Sequence, residues 1–244
     1  MNHDGNRPVV AERDDLTIVA HEHGEAVQGL WRGSLGRTVR CVPSRRALSA
    51  THRGVELYAK RYRTRRGADP EWRWLERLAQ AGFAVPARVG RVRGRRGSMV
   101  VCAAVPGRSL DAWALTAARE GWLDRWFRFV VGEVAPLARR LHDRGWVHRD
   151  LNLPHLFAAD PRRPGSLSLI DVERVFCPRW RLRRWVVKDL AALLASCPVA
   201  VPDRVAARFL LRYSAGKPRS QVRRLAREVR AKAARIRGRA PRYG

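Results

Sequence analysis

The chain has 244 residues, 45% of them apolar, which is enough for a substantial core and excludes an intrinsically disordered protein. Its formal charge is +28, with 50 Lys and Arg against 22 Asp and Glu, so an anionic partner is expected: nucleic acid, an anionic membrane or a phosphorylated glycolipid. No run is long and apolar enough to span a bilayer, no signal peptide opens the chain, and Cys41, Cys102, Cys177 and Cys197 lack the paired spacing of a zinc site or a disulfide framework, so a reducing, cytoplasmic setting is expected.

Only four basic residues are Lys (Lys60, Lys188, Lys217 and Lys232), and the rest are Arg. Arg has GC-rich codons, so coding bias is a second source for the charge. Where Lys survives in such a chain, a compact point charge is the reason to look for.

Residues 1–26 read as a loose polar leader with one short strand at Leu16–Ala20. Alternation then predicts strands over 37–42 and 55–62, with Ser44–Gly54 as a hairpin connection between them. Asp69 and Pro70 open a predicted helix as N-cap and first residue; Trp74, Leu75 and Leu78 form its apolar stripe, and Gly82 ends it. Strands follow over 87–92 and 98–104. Val105-Pro106-Gly107 is the clearest break in the chain. Beyond it, helical periodicity covers 110–118, 122–144, 187–196, 202–213 and 221–237, with one strand at 167–172. The expected organisation is α+β and two-lobed: the leader 1–26, a small β-rich lobe with one helix over 27–104, and a larger helical lobe over 105–244.

Several residues in this order fit phosphoryl transfer. That reaction needs metal on the phosphates, a carboxylate beside the attacking hydroxyl and a cation that fixes the nucleotide. His148-Arg149-Asp150 matches the start of the kinase catalytic-loop pattern HRD-x4-N, with His155 standing where that pattern has Asn. Asp171 ends an apolar strand 21 residues after Asp150, where a kinase fold presents its metal carboxylate, although Val172-Glu173 replaces Phe-Gly. Lys60, in a late strand, is the expected partner of the α- and β-phosphates, oriented by Glu71 or, in reserve, Glu76. The segment Gly33–Thr38 offers Gly33 and Gly36 as backbone cover for the nucleotide. Asp189 is read as a brace for the catalytic loop, and Arg149 as a tie from that loop to the segment after Asp171.

The set resembles the lipopolysaccharide core kinases that phosphorylate Kdo or heptose. The likeness rests on His155 after HRD, the strand end Leu169-Ile170-Asp171-Val172-Glu173-Arg174-Val175, the run Lys188-Asp189-Leu190-Ala191, and the small-lobe residues Lys60-Arg61 and Glu71-Trp72 with Leu75, Leu78 and Gly82. The resemblance covers about 28–240 and implies a two-lobed protein-kinase-like fold and ATP and Mg²⁺ as cofactors. It implies Asp150 and Arg149 as catalytic residues, Asp171 and His155 as metal holders, and Lys60 with Glu71 at the nucleotide. It also implies a glycolipid or sugar acceptor and peripheral contact with the anionic inner face of the inner membrane.

The basic, aromatic segment 174–185 is a candidate contact for such an acceptor. The basic helix over 221–237 either lies on anionic lipid or caps the helical lobe. Two other function classes stay open. One is a kinase-fold enzyme acting on a small molecule such as an aminoglycoside, or on protein Ser/Thr; the 18 residues from Asp171 to Asp189 leave little room for a peptide platform. The other is a non-enzymatic polyanion binder; no zinc-finger, RNP or KH signature is present, so no specific nucleic acid is expected.

Overall fold

The computed structural model describes residues 9–13, 16–20, 23–165 and 167–238. The chain divides into two compact units between Val105 and Pro106.

The N-terminal unit is a seven-stranded antiparallel sheet with two helices. Its strands are β1 (Val9–Arg13), β2 (Leu16–Ala20), β3 (Arg37–Val42), β4 (Arg45–His52), β5 (Val55–Tyr62), β6 (Arg88–Gly94) and β7 (Gly97–Ala103), in the order β1-β2-β6-β7-β5-β4-β3. Three expectations are corrected here. In the described part of the leader, Val9–Arg13 forms a strand that was not expected, paired with β2, while the expected strand Leu16–Ala20 pairs with β6 and sends Ile18 and Ala20 into the core. A second helix, α1 (Gly24–Arg32), buries Ala26, Val27 and Leu30. The supposed hairpin connection is the full strand β4, paired along its whole length with β5. Its Arg, Ser, Thr and His residues hide a strand that buries only Leu48 and Ser49.

Strand β5 lies between β4 and β7, and its period of two sorts its side chains. Leu57 and Ala59 go to the core, packing with Val92, Met99 and Val101. Lys60 and Tyr62 project from the other face. Helix α2 (Asp69–Gln80) buries Trp72, Trp74, Leu75 and Leu78. Asp69, the expected N-cap, is the first residue of the helix and does not cap it; its carboxylate instead takes a two-pronged contact from Arg93 at 2.9 and 2.7 Å.

The C-terminal unit carries α3 (Leu110–Arg119), α4 (Leu123–Phe129), α5 (Ala135–Asp143), α6 (Leu182–Ala195), α7 (Asp203–Tyr213) and α8 (Arg219–Arg237). Helices α4 and α5 form the single helix expected from the periodicity, joined by a π turn at Val130–Val134. Pro136 follows that turn, and a proline that lacks an N–H and crowds the preceding turn is a recognised cause of such a bulge. Three short strands, β8 (Arg108–Ser109), β9 (Leu156–Ala158) and β10 (Leu167–Leu169), form a small antiparallel sheet in the order β10-β9-β8. Gly107 precedes it at φ +89°, and a Cβ there would collide with the carbonyl of Ala158.

Helix α8 buries Val222, Leu225, Val229 and Ala233, so its apolar stripe is spent inside the unit. Arg183 reaches Glu228 on it with two hydrogen bonds of 3.1 and 3.0 Å. That packing is the capping arrangement, one of the two read for this helix. Among the described residues, no helix is long and apolar enough to cross a membrane. An apolar cavity of about 150 Å³ lies in the same unit, lined by Trp126, Phe127, Leu190, Val205, Leu210 and Val229 among others, and none of the carboxylates singled out above lines it.

Candidate active site

The residues expected to carry chemistry fall into two groups, one in each unit. In the N-terminal unit, Lys60 Nζ lies 2.7 Å from Glu71 Oε1, and Tyr62 OH donates to Glu71 Oε2 at 2.9 Å. Lys60 and Tyr62 share a face of β5, so both reach the first turn of α2. The Glu71 side chain is only 6% exposed, while Lys60 keeps 22%. A cation held by a buried carboxylate has its direction fixed by the core beneath it. Glu76 is not the partner of Lys60; it pairs with Arg88 at 2.8 Å.

Gly33 and Gly36 lie in the connection from α1 to β3, not between two strands as expected. Gly33 ends α1 at φ +82°, its N–H bonded to Gly29 O at 2.9 Å. Gly36 sits at φ +93°, and a Cβ there would come within 2.7 Å of Leu30 Cδ2. Helix capping and close packing account for both glycines. The turn that joins β3 to β4 contains Pro43 and Ser44 and no glycine.

In the C-terminal unit, the catalytic-loop segment is fixed at its base. Val147 exchanges backbone hydrogen bonds of 3.0 and 3.1 Å with Phe176. The His148 side chain is fully buried, and burial holds its pKa below the ordinary imidazole value, so it is neutral and donates Nε2–H to Ile170 O at 3.2 Å. The His148 N–H donates to Asp189 Oδ2 at 2.7 Å. Asp189 is fully buried and also receives His142 Nε2 at 3.3 Å, while His142 Nδ1 meets Tyr213 OH at 3.0 Å. Because a carboxylate only accepts, Nε2 of His142 carries a proton. Burial pushes the Tyr213 hydroxyl up, so it stays protonated.

Arg149 adopts φ +71°, turning the chain so that Asp150 follows. Its guanidinium lies over the rings of Phe176 (5.9 Å) and Trp185 (5.6 Å), and its Nε has no hydrogen-bond partner among the described residues. It ties the loop to the segment after Asp171 through rings and not through a carboxylate.

Asp150 is the meeting point of two cations. Arg174 donates from Nη1 to its Oδ2 at 2.6 Å, and Lys188 Nζ lies 3.7 Å from its Oδ1. Lys188 also donates to the Arg149 carbonyl. Burial lowers the Lys188 pKa, with Asp150 and Asp189 opposing the shift. Neither partner was assigned to Asp150 from the sequence. Lys188 carried one signal, its survival as Lys, and Arg174 one, its place in the strand-end motif.

His155 and Asp171 are brought together by the β9–β10 hairpin, where Leu156 pairs with Leu169 and Ile170 N–H donates to His155 O at 2.9 Å. His155 Nδ1 lies 2.7 Å from the Asp150 carbonyl, which only accepts, so Nδ1 carries the proton. Its Nε2 lies 3.5 Å from Asp171 Oδ2. Asp171 itself sits at φ +55°, at the head of a 3₁₀ turn over Val172–Arg174. A carboxylate oxygen and an imidazole nitrogen held this close, with the ring fixed through its other nitrogen, are two donors that would fit a divalent cation.

An antiparallel sheet unit bearing a Lys–Glu pair, followed by a helical unit with HRD and a strand-end Asp, defines a protein-kinase-like phosphotransferase. Residues 25–213 match the Lipopolysaccharide kinase (Kdo/WaaP) family, and the chain belongs to that family. A solved structure of WaaP in complex with acyl carrier protein is similar at TM-score 0.72 and 27% identity, over 91% of this chain and 98% of that one. An aminoglycoside-3′-phosphotransferase of type VIII is similar at TM-score 0.57 and 22% identity, over 84% and 98%. An aminoglycoside phosphotransferase from Streptomyces rimosus, in complex with ADP and streptomycin, is similar at TM-score 0.58 and 15% identity, over 86% and 98%. These last two share the fold alone. No curated protein matches the chain in sequence. The protein is thus an ATP-dependent phosphotransferase and a lipopolysaccharide core kinase.

Proposed function

We propose that the protein phosphorylates a hydroxyl of Kdo or heptose in the lipopolysaccharide inner core. The observation that carries this reading is the joint built by His155: one ring nitrogen tied to the Asp150 backbone, the other aimed at Asp171. It couples the residue proposed to receive the acceptor to the residue proposed to hold the metal. Asp150 orients the sugar hydroxyl and takes its proton. The hydroxyl oxygen forms a bond to the γ-phosphorus as the bond from that phosphorus to the leaving oxygen of ADP breaks. Lys60, aimed by Glu71, holds the α- and β-phosphates. Asp171 and His155 hold Mg²⁺, which when bound neutralises charge on the phosphates. Arg149, Asp189 and His148 position the loop without touching substrate.

The test is transfer from labelled ATP to a panel of acceptors: inner cores with and without Kdo and heptose, an aminoglycoside, and a protein substrate. Label on the inner core alone is expected. Asp150→Asn should lower kcat about 10²–10⁴-fold with an unchanged melting temperature, and Asp171→Ala should abolish turnover. Wild-type rates in either variant, or transfer to the aminoglycoside or protein instead, overturn the reading. The similar WaaP structure holds an acyl carrier protein. We also propose a carrier protein as partner of this chain, with retention of the purified protein on immobilised acyl carrier protein as the check; passage without retention removes it.

A further inference from the structure

The loop that bears Asp150 is held by two cations that are not equivalent. Lys188 is anchored twice, on the Arg149 carbonyl and near Asp150 Oδ1, and it rises from α6 in the middle of a packed helix. Among the described residues Arg174 is anchored once. It ends a 3₁₀ turn, its side chain is 47% exposed against 27% for Asp150, and its described contact with Asp150 uses Nη1 alone. The other edge of its planar fork is left over.

An acceptor hydroxyl must come within hydrogen-bond reach of an Asp150 oxygen, about 2.6–3.2 Å. In the structure Oδ2 is covered by Arg174 at 2.6 Å. A half-exposed ion pair of this kind is weak and readily exchanged. Arg differs from Lys in matching carboxylate and phosphate with two parallel hydrogen bonds, so a second anion arriving beside Asp150 offers Arg174 a better partner than the single contact it holds. Lys188 meanwhile keeps Asp150 oriented.

We propose that Arg174 is a specificity-determining residue: it covers Asp150 in the free enzyme and moves onto a carboxylate or phosphate that the acceptor carries next to the hydroxyl to be phosphorylated. The inference rests on the reading of Asp150 as the residue that receives that hydroxyl. An acceptor without a neighbouring anion leaves Arg174 on Asp150 and is turned over slowly. The exposed Arg179 and Arg181 further along the segment favour the same sign of charge on the incoming ligand.

The experiment compares matched acceptors for wild type, Arg174→Gln and Arg174→Lys. One pair is a Kdo-bearing inner-core oligosaccharide and its carboxyl methyl ester; the other is a heptose-bearing core before and after phosphatase treatment. The two pairs separate a carboxylate from a phosphate as the group read. Wild type is expected to prefer the anionic member of one pair at least tenfold in kcat/KM. Arg174→Gln should lose at least tenfold on that member and bring the two within about twofold. Arg174→Lys, which keeps charge but not the fork, should fall between, and it carries the test if the neutral variant does not fold. A wild-type enzyme indifferent to both pairs, or an Arg174→Gln enzyme with the wild-type ratio, overturns this inference while leaving the sugar-kinase reading standing. Absence of transfer to every sugar, with ATP consumed on another alcohol, overturns both.

Discussion

The charged pair of the N-terminal unit and the charged cluster of the C-terminal unit are built on opposite plans. Glu71 is buried, bonded on both oxygens, and presents Lys60 from a strand whose other face is core. Asp150 is more exposed and carries two cations, one of them, Arg174, nearly half in solvent. Breaking a buried pair strands a charge away from water and is costly, whereas an exposed pair exchanges partners at little cost. The first arrangement suits a cation that must not move between turnovers. The second suits a carboxylate that must be uncovered in each.

Three substitutions sharpen that contrast. The largest effect is expected at Lys60, where the cation itself is removed. Lys60→Met should lower kcat/KM for ATP about 10²–10³-fold, as loss of a preorganised charge does, and should also lower stability by denaturant titration because Glu71 loses its ion-pair partner. If Lys60→Met is as active as wild type, the N-terminal pair is structural only.

A smaller effect belongs to Asp189, the fixed element beneath the exchangeable cluster. Asp189→Ala leaves the His148 N–H and His142 without their acceptor, so unfolding free energy should fall by about 1–3 kcal/mol. A fall below about 0.5 kcal/mol would show that water replaces the carboxylate and that the loop does not depend on it.

The smallest is a pH effect at Lys188. Burial lowers its folded pKa below 10.5, so between those two values the unfolded chain holds a proton that the folded protein has released. Stability therefore rises with pH across that window, relative to a chain with no group there. In Lys188→Met the added slope should vanish, seen as a wild-type minus variant difference in denaturation midpoint that grows from pH 8 to 10.5. A flat difference would show that Asp150 cancels the burial of Lys188.

Local order was largely legible in the residues. Alternation in 55–62 placed Lys60 in a strand, and the Asp69-Pro70 helix start placed Glu71 in a first helical turn. What failed locally did so for a physical reason. Strand β4 buries two residues among many Arg, Ser and Thr, and β9 is three residues long, so neither writes a period strong enough to read. The glycines of 33–36 look alike in sequence whether they cover a phosphate or end a helix; positive φ and contact with Leu30 decide for the helix end.

The sequence by itself determined the kind of chemistry, because HRD, the His155 that follows it and the strand-end Asp171 are set by spacing along one stretch of chain. Only the tertiary structure decided which charges meet. Arg174 lies 24 residues from Asp150 and Lys188 lies 38 away, in a chain with 50 basic residues. Tyr213 lies 71 residues from His142, and the pair with Asp189 becomes one buried chain of hydrogen bonds only when α5, α6 and α7 pack. Spacing fixes what a segment offers, but Coulomb and hydrogen-bond partners are chosen by distance in space, and the packed helices set that distance.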